Sequence, residues 1–347
     1  MGANVSTKNE IASLKSNTIK KIKLGAPCKY NFYFIRHGFS CSNIQTTKIK
    51  DEVKSKIKQK YQMLKEIGKY SLNEDSHLTN WGIFSCNLLR KDYYNLFKDI
   101  KIDNLFISPL IRTWETAYLL FGASNINHFT IAPHIKEDNP LKYLPMENYT
   151  VQKERFKEFI EYVNYCDKLI DLNYNFKYNY PKYTIQEENY PMEYLNNSID
   201  KFMKYYMKKY DKNTDFIKEK NVVVVCHSQL LENWLEKHEF NYNKNIPEKL
   251  KNRFNFLKDN NAYCIKITID RSSKEDFYTE IINPGFPYPN KKELKDINIV
   301  TSYLCRVGDE EIISRSEFDR MLKYEYDIVK KIYNKQKKFK NIKLQKK

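Results

Sequence analysis

Three short segments, far apart in the chain, carry side chains that suit the chemistry of phosphate. Each follows an apolar run: the first contains Arg36, His37 and Gly38, the second Arg112 and the third His227. A guanidinium presents a fork of charged N–H donors that matches phosphate oxygens. A neutral imidazole can attack phosphorus through one nitrogen while an acceptor holds the N–H of the other. These residues predict a cationic pocket that binds a phosphate and presents a histidine to it.

The apolar runs before these segments predict buried β-strands. Residues 31–35, 104–107 and 222–225 are largely apolar stretches that suit strands covered on both faces. Between them, apolar residues recur at helical spacing. Strands that alternate with helices indicate an α/β fold, in which functional side chains collect where the strands end. Further predicted strands are 129–132, 262–269 and 277–282, and predicted helices are 46–69, 78–94, 113–121, 151–172, 199–210, 230–239 and one that begins at Ser314 or Ser316.

Length and composition indicate a globular protein. The 347 residues can form one large domain or two smaller ones, and 41 % of them are hydrophobic and 15 % aromatic. The formal net charge of +17 lies mainly at the two ends of the chain. Residues 1–30 carry six lysines and one glutamate, and residues 330–347 carry nine lysines and no acidic residue. Such ends can meet anionic lipid, an acidic partner or nucleic acid, or can be solvated faces of a lysine-rich chain.

The first six residues fit the M-G-x-x-x-[ST] pattern for N-myristoylation of Gly2. One myristoyl chain binds a membrane only marginally, so a second signal is needed. The lysines between residues 15 and 23 and those of the C-terminal tail can supply it, at about 1 kcal/mol for each lysine near an anionic surface. The sequence therefore predicts a cytoplasmic, peripheral membrane protein that meets an anionic membrane surface. We do not expect nucleic acid as the partner, and binding through the tail would show a steep salt dependence.

The seven cysteines form no CxxC pair and show no metal-site spacing with histidine. We find no secretory signal peptide and expect reduced thiols in a protein that faces the cytosol. No window approaches the roughly 18–20 apolar residues of a membrane span. We expect neither a metal nor a cofactor.

Four blocks of sequence resemble, in order, the motifs of the histidine phosphatase (phosphoglycerate mutase-like) superfamily. Residues 34–43 resemble its opening strand-RHG-x-S-x-x-N motif and residues 75–82 its D-x-x-L-T-x-x-G helix start. Residues 108–117 resemble its S-P-L-x-R-T-x-E-T-A block, and 222–227 resemble the strand that carries its second histidine. RHG alone is a weak match, whereas four blocks in the right order are a specific one. The resemblance implies a three-layer α/β/α fold with a mostly parallel central sheet, phosphoglycerate mutase-like, with helical insertions.

The resemblance also implies roles for individual residues. His37 would be the nucleophile that becomes phosphohistidine. Glu137, just after the predicted strand at 129, would be the general acid that protonates the leaving group. The adjacent Asp138 is the alternative for that role, and no metal would take part. The residues that would surround the phosphate are Arg36, Asn43, Arg112 and His227.

The extent of the resemblance suggests a division of the chain. Residues 1–29 are predicted to be a flexible basic arm, and residues 30–285 the catalytic domain. Two insertions interrupt this domain, at about 45–75 and 139–195, and we interpret the second as a cap near the site. Residues 286–347 would form an extension with a helix and the lysine-rich tail.

Two departures from the family bear on the reaction. Ser228 stands where many members have glycine after the second histidine, and Phe39 stands where mutases usually have Glu or Gln. We therefore predict a metal-independent phosphomonoester hydrolase that acts on a phosphorylated small molecule or phosphoprotein. The alternatives are a phosphoglycerate mutase-type phosphotransferase and a catalytically inactive phosphate-binding scaffold at a membrane.

Overall fold

The fold is seen in a computed structural model of the chain. The structure describes residues 29–43, 75–122, 128–137, 149–170, 184–187, 198–210, 219–237, 257, 259–270, 277–290, 293 and 314–345. Gly2 with the rest of the predicted arm up to residue 28, the predicted helix 46–69 and Asp138 lie outside the described residues.

A seven-stranded mixed sheet forms the centre of the fold. The strands, including those of a separate ribbon, are β1 (Lys29–Arg36), β2 (Asn104–Ile107), β3 (His128–Ile131), β4 (Thr184–Glu187), β5 (Glu219–Cys226), β6 (Asn260–Asn261), β7 (Cys264–Asp270), β8 (Tyr278–Asn283) and β9 (Phe286–Pro287). The sheet has the order β4-β3-β2-β5-β1-β7-β8, and all neighbouring pairs from β4 to β1 are parallel, whereas β7 is antiparallel to both β1 and β8. The separate two-stranded ribbon pairs β6 with β9.

Helices cover both faces of this sheet. One face carries α1 (Asn80–Phe97), α2 (Ile111–Phe121), α3 (Tyr149–Ile170) and α6 (Arg315–Gln345), and the other carries α4 (Ile199–Tyr210) and α5 (Ser228–Leu235). Side chains of β1 alternate between the two hydrophobic clusters, with Tyr33 in one and Phe34 in the other. Because both faces are covered, the strand can be apolar throughout. The predicted three-layer α/β/α fold with a mostly parallel sheet is confirmed.

The parallel pairing of β1 with β5 explains why the two histidine motifs meet. Arg36 lies opposite Cys226 in the register, so both strands end at the same edge of the sheet. His37 and His227 follow directly, and the backbone N–H of His37 donates to the carbonyl of Cys226 at 2.9 Å. Residues 190 positions apart thus become neighbours.

Two helices start closer to the candidate site residues than predicted. α2 begins at Ile111 rather than at residue 113, and α5 begins at Ser228 rather than at about 230. Neither helix has a side-chain N-cap hydrogen bond, so the sequence carried no capping signal for its start. Instead, the backbone N–H of Ile111 donates to the Asp75 carboxylate, a contact between distant segments.

The segments that the sequence sets apart from the catalytic domain share its hydrophobic core. α3, inside the predicted insertion 139–195, buries Phe156 and Phe159, and β4 adds an edge strand beside β3. Beyond residue 285, Leu322 and Val329 of α6 pack into the same cluster as α1 and α2. The division of the chain into domain, insertions and extension stays a prediction.

Cysteines 86, 166, 226 and 264 are free and buried, as expected of a small apolar side chain. Cys41 is disulfide-bonded, so the expectation of reduced thiols is wrong for this residue. Within the described ranges, no helix combines the length and the apolarity that crossing a membrane requires.

Glu325 is a buried carboxyl between α6 and α1. Its side chain accepts a hydrogen bond from the Asn80 amide at 3.3 Å, and the residue is 2 % exposed. Burial raises the pKa of Glu325 to about 8, against the opposing effect of that hydrogen bond. The carboxyl is therefore neutral in the folded protein at pH 7.

We expect Glu325→Gln to stabilise the fold at neutral pH. The unfolded carboxyl ionises near pH 4.3, whereas the folded one stays protonated up to about pH 8. Folding then takes up a proton between these values, and stability falls as the pH rises. A neutral amide takes up no proton on folding, so in the variant the free energy of unfolding at pH 7 should be higher by about 1–3 kcal/mol. Urea unfolding at pH 5, 6, 7 and 8 measures the difference, which should grow with pH.

The control for loss of one negative charge is Asp327→Asn, since Asp327 is exposed on the same helix. If the difference between Glu325→Gln and wild type stays constant from pH 5 to 8, the carboxyl is not neutral when folded.

Candidate active site

The segment that follows β1 is held in place by its backbone. The N–H of Gly38 donates to the Thr116 hydroxyl at 2.8 Å, and the carbonyl of His37 accepts from the N–H of Ala262 at 3.3 Å. A side chain at Gly38 would bring a Cβ within 2.7 Å of the Cys86 sulfur. Glycine is therefore required here by close packing between this segment and α1.

The hydrogen bonds of His37 select one tautomer of its ring. Its Nδ1 lies 2.6 Å from the carbonyl oxygen of Gly38, which can only accept, so Nδ1 carries the proton. The lone pair is then on Nε2, which faces the guanidinium of Arg112 with its Nε 3.3 Å away. An imidazole held in this way presents a nucleophilic nitrogen to a group bound by Arg112.

His37 is neutral at physiological pH. The residue is 2 % exposed, and burial lowers its pKa well below 6.5, with further lowering by Arg112, His227 and Arg36. A lowered pKa keeps the ring in the form that can attack phosphorus even in mildly acidic solution.

Arg112 lies at the centre of the cluster, in the first turn of α2. Besides His37, its guanidinium donates to Glu137 at 2.7 Å and lies 3.5 Å from Nδ1 of His227. On the far side, Asp75 lies 3.5 Å from it and forms a buried ion pair. Burial raises the pKa of Asp75 to about 6, against the opposing charge of Arg112.

Glu137 follows the short 3-10 turn Pro133–Ile135 and reaches the site from the end of β3. Its side chain is 27 % exposed, and its carboxylate lies 3.6 Å from Nδ1 of His227. Burial alone would raise the pKa of Glu137, but its interactions with Arg112, His37 and Arg36 outweigh this effect and lower the pKa. Glu137 is therefore a carboxylate when the site holds no anion.

His227 is oriented by a residue from the next strand. Its Nε2 lies 2.8 Å from the hydroxyl of Ser108, just after β2, and the ring centroids of His37 and His227 are 5.1 Å apart. Burial lowers its pKa well below 6.5, with further lowering by Arg112, Arg36 and Lys136. Ser228 is the first residue of α5.

Arg36 ends β1 with a buried side chain. It donates to the carbonyl of Asn260 at 2.8 Å, and its guanidinium carbon lies 5.1 Å from the ring centroid of Tyr288 and 6.0 Å from that of Tyr263. These contacts come from β6, β9 and the residues beside them, far along the chain.

Asn43 has a clear role within the loop after Gly38. Its side-chain oxygen accepts from both the N–H and the hydroxyl of Ser40, each at 2.9 Å. The predicted contact of Asn43 with phosphate stays a prediction. The same holds for the choice between Glu137 and Asp138 as the acid, since Asp138 lies outside the described residues.

A layer of buried polar residues supports the site, and the sequence alone did not reveal its partners. Glu115 accepts from the N–H of Leu78 at 2.7 Å and pairs with His77. Gln152 of α3 donates to Asp75 at 3.0 Å, and Arg155 donates to His77 at 3.1 Å. The predicted insertion thus contacts the residues behind Arg112. This layer could have been suspected from the sequence, because polar residues occupy helix positions that face the core.

The site also contains a set of ligand atoms that a metal could use. Atoms of His37, Glu137 and His227 all lie within 4.8 Å of one another, a cluster that the sequence spacing did not reveal. The buried guanidinium of Arg112 lies beside these atoms, and the charge of the buried Arg36 acts on all three residues. Adjacent positive charges disfavour a cation and favour an anion with several acceptor oxygens. The arrangement therefore fits a phosphate better than a metal.

Comparison with known proteins gives a distant likeness to one group of enzymes. No family model and no curated protein matches the chain. Among solved structures, it is similar to a phosphoglycerate mutase from Bacillus anthracis, at 16 % identity over 75 % of this chain and 96 % of that one, with a TM-score of 0.39. It is also similar to an alpha-ribazole phosphatase from Shigella flexneri, at 15 % identity over 75 % and 100 %, with a TM-score of 0.35.

A third similar structure is a phosphoserine phosphatase from Entamoeba histolytica in complex with 3-phosphoglyceric acid, at 14 % identity over 73 % and 96 % of the two chains, with a TM-score of 0.32. The first two belong to the phosphoglycerate mutase and histidine phosphatase superfamily, which the motifs of this chain resemble. At identities and TM-scores this low, the matches assign no reaction to the chain.

Proposed function

We propose that the chain is a metal-independent phosphomonoesterase that works through a phosphohistidine at His37. The observation that carries this proposal is the single tautomer of His37, whose unprotonated Nε2 faces Arg112 3.3 Å away. A nucleophile beside a buried guanidinium is the arrangement that phosphoryl transfer requires. The proposed substrate is a phosphorylated small molecule or phosphoprotein.

In the first step, Nε2 of His37 attacks phosphorus and the bond from phosphorus to the ester oxygen breaks. Arg36 and Arg112 neutralise the charge on the oxygens of the phosphoryl group. Binding of a phosphate dianion to Arg112 offsets the charge that lowers the pKa of Glu137, so the carboxyl takes up a proton. It then gives this proton to the leaving alkoxide.

In the second step, water attacks the phosphohistidine. The carboxylate of Glu137 accepts a proton from that water, the bond from phosphorus to Nε2 breaks, and inorganic phosphate leaves. His37 returns to its starting tautomer because Nδ1–H stays on the carbonyl of Gly38 throughout. His227, held by Ser108 at 2.8 Å, is proposed to donate to the phosphoryl oxygens.

A phosphoglycerate mutase-type reaction would share the first step and differ in the second. The phosphohistidine would then give its phosphoryl group to a second hydroxyl of a sugar acid instead of to water. Phe39 supports hydrolysis, because it fills the position after Gly38 with a buried ring packed on Tyr288, at 4.9 Å between centroids, where mutases usually have Glu or Gln.

The experiment that tests the proposal is turnover of an aryl phosphate by the wild-type protein at several pH values in excess chelator. We expect release of inorganic phosphate that the chelator does not reduce. Rapid quenching in alkali should also trap a phosphate on the peptide that contains His37, since phosphohistidine is stable in alkali and labile in acid. Transfer to a sugar acid without phosphate release would identify a mutase instead.

Activity that disappears in chelator would contradict the metal-independent mechanism. A protein that binds inorganic phosphate but hydrolyses no phosphomonoester would support the alternative of an inactive phosphate-binding scaffold.

We further propose that the protein is held at an anionic membrane surface by a myristoyl group on Gly2 and by lysines. Support comes from the N-terminal pattern and from α6, whose exposed side chains include Lys323, Lys330 and Lys331. Each such lysine contributes about 1 kcal/mol near an anionic surface, which adds to the marginal affinity of one acyl chain.

Gly2→Ala is expected to move the protein from the membrane fraction to the soluble fraction of the cells that make it, because it removes the acceptor of the acyl chain. Fractionation of wild type and variant at low and high salt measures this shift, with Ala3→Gly as the control substitution. An unchanged distribution would exclude lipidation as the anchor.

A further inference from the structure

The ribbon of β6 and β9 forms a rigid support beside Arg36. Strand β9 follows β8 through a turn in which Gly285 has φ +75°, a conformation that favours glycine. A Cβ at Gly285 would also lie 2.2 Å from the carbonyl oxygen of Asn261. The side chain of Asn260 donates to the carbonyl of Pro284 at 2.8 Å, which closes the same turn.

The ribbon is also fixed to the helical layer. The indole N–H of Trp81 in α1 donates to the carbonyl of Pro287 at 3.1 Å, and its ring packs on that of Phe286 with centroids 5.9 Å apart. Both Trp81 and Phe286 are fully buried. The next residue, Tyr288, therefore starts from a backbone with little freedom, and its N–H donates to the carbonyl of Asp259 at 2.9 Å.

Tyr288 contacts two residues of the opening motif at once. Its ring packs on that of Phe39, with centroids 4.9 Å apart, and lies 5.1 Å from the guanidinium carbon of Arg36. The carbonyl of Asn260, from the other strand of the ribbon, accepts from Arg36 at 2.8 Å. A cation is attracted to the face of an aromatic ring within about 6 Å of its centroid. The Arg36 guanidinium is therefore held both by the ring of Tyr288 and through one of its N–H groups.

We propose that Tyr288 is a positioning residue that holds the Arg36 guanidinium in the orientation that binds the phosphoryl group. This inference rests on the proposed function and adds a determinant of phosphate affinity from residue 288, beyond the part of the chain that resembles the family. An arginine must present its fork in a defined plane to bind two phosphate oxygens, so loss of the ring should weaken phosphate binding without removing the nucleophile.

The test compares Tyr288→Leu and Tyr288→Phe with wild type, and measures the dissociation constant of inorganic phosphate together with KM and kcat for an aryl phosphate. We expect Tyr288→Leu to bind phosphate about 3- to 30-fold more weakly. Tyr288→Phe should stay near wild type because it keeps the ring face. Tyr278→Leu is the matched control, since Tyr278 is 58 % exposed on β8.

A double-mutant cycle separates this role from a structural one. In an Arg36→Ala background, Tyr288→Leu should have no further effect on phosphate affinity, because the group that it positions is gone. If Tyr288→Leu does not fold, a ring-fluorinated phenylalanine at position 288 keeps the shape but weakens the negative ring face. This variant should bind phosphate more weakly than Tyr288→Phe.

Two results would overturn the inference while leaving the proposed function intact: wild-type phosphate affinity in Tyr288→Leu, or an equal loss with and without Arg36. Wild-type protein that neither binds phosphate nor turns over an aryl phosphate would instead defeat the proposed function, and the inference with it.

Discussion

Replacing His37 by alanine is expected to lower aryl phosphate turnover by about 10⁴- to 10⁶-fold, as loss of a catalytic nucleophile does in enzymes that form a covalent intermediate. The variant should form no phosphoenzyme on alkaline quenching. It should still bind inorganic phosphate, because Arg36 and Arg112 are held by contacts that do not involve His37, namely Asn260 at 2.8 Å and Glu137 at 2.7 Å.

The pH dependence of the wild type is a second test of the same assignment. A histidine nucleophile works only above its pKa, and burial lowers the pKa of His37 well below 6.5. We therefore expect no loss of phosphoenzyme formation as the pH falls through 6.5.

The matched control for His37→Ala is His77→Ala. His77 is also a buried histidine, 4 % exposed, but it pairs with Glu115 and Arg155 behind the site. This variant is expected to be less stable by thermal unfolding, but its phosphoenzyme should still be trapped. Turnover in His37→Ala within tenfold of the wild-type rate would rule out the phosphohistidine mechanism.

Glu137→Gln is expected to lower kcat for an alkyl phosphate by about 10²- to 10⁴-fold, the range that general acid catalysis contributes. An alkoxide is a poor leaving group and needs the proton, whereas a nitrophenolate does not. The loss should therefore be much smaller with a nitrophenyl phosphate. Steady-state rates with the two substrates measure this contrast.

The pH dependence of the rate shows whether Glu137 acts in its protonated form. A general acid acts below its pKa, so the wild-type rate with an alkyl phosphate should fall as the pH rises, and Glu137→Gln should remove this fall. In the free site, Arg112 at 2.7 Å and the other nearby charges lower the pKa of Glu137 despite its burial. The fall should therefore appear at higher pH in kcat than in kcat/KM, since bound phosphate offsets the charge of Arg112.

Asp138→Asn is the matched control, because Asp138 is the adjacent carboxyl and the alternative acid. We expect it to keep most of the activity with the alkyl phosphate. If Asp138→Asn loses the activity and Glu137→Gln keeps it, the acid is Asp138.

The fold class and the meeting of the two histidine motifs were predicted from the order of the amino acids alone. Strands that end at Arg36 and Cys226 must bring His37 and His227 to one edge once they pair in parallel, and hydrophobic runs predict that pairing. The start of α1 was also readable locally, since Thr79 accepts from the N–H of Gly82 at 3.1 Å. These features depend on residues close in sequence or on strand order.

The contacts that tune the site became visible only in the folded protein. The tautomer of His37 depends on which way the Gly38 carbonyl points, and the position of Glu137 depends on a 2.7 Å contact with Arg112. The support of Arg36 by Tyr288 joins residues 252 positions apart. Such contacts follow from the packing of whole elements, because hydrogen bonds and ring contacts change over less than 1 Å while sequence patterns fix positions only to within a turn or a strand.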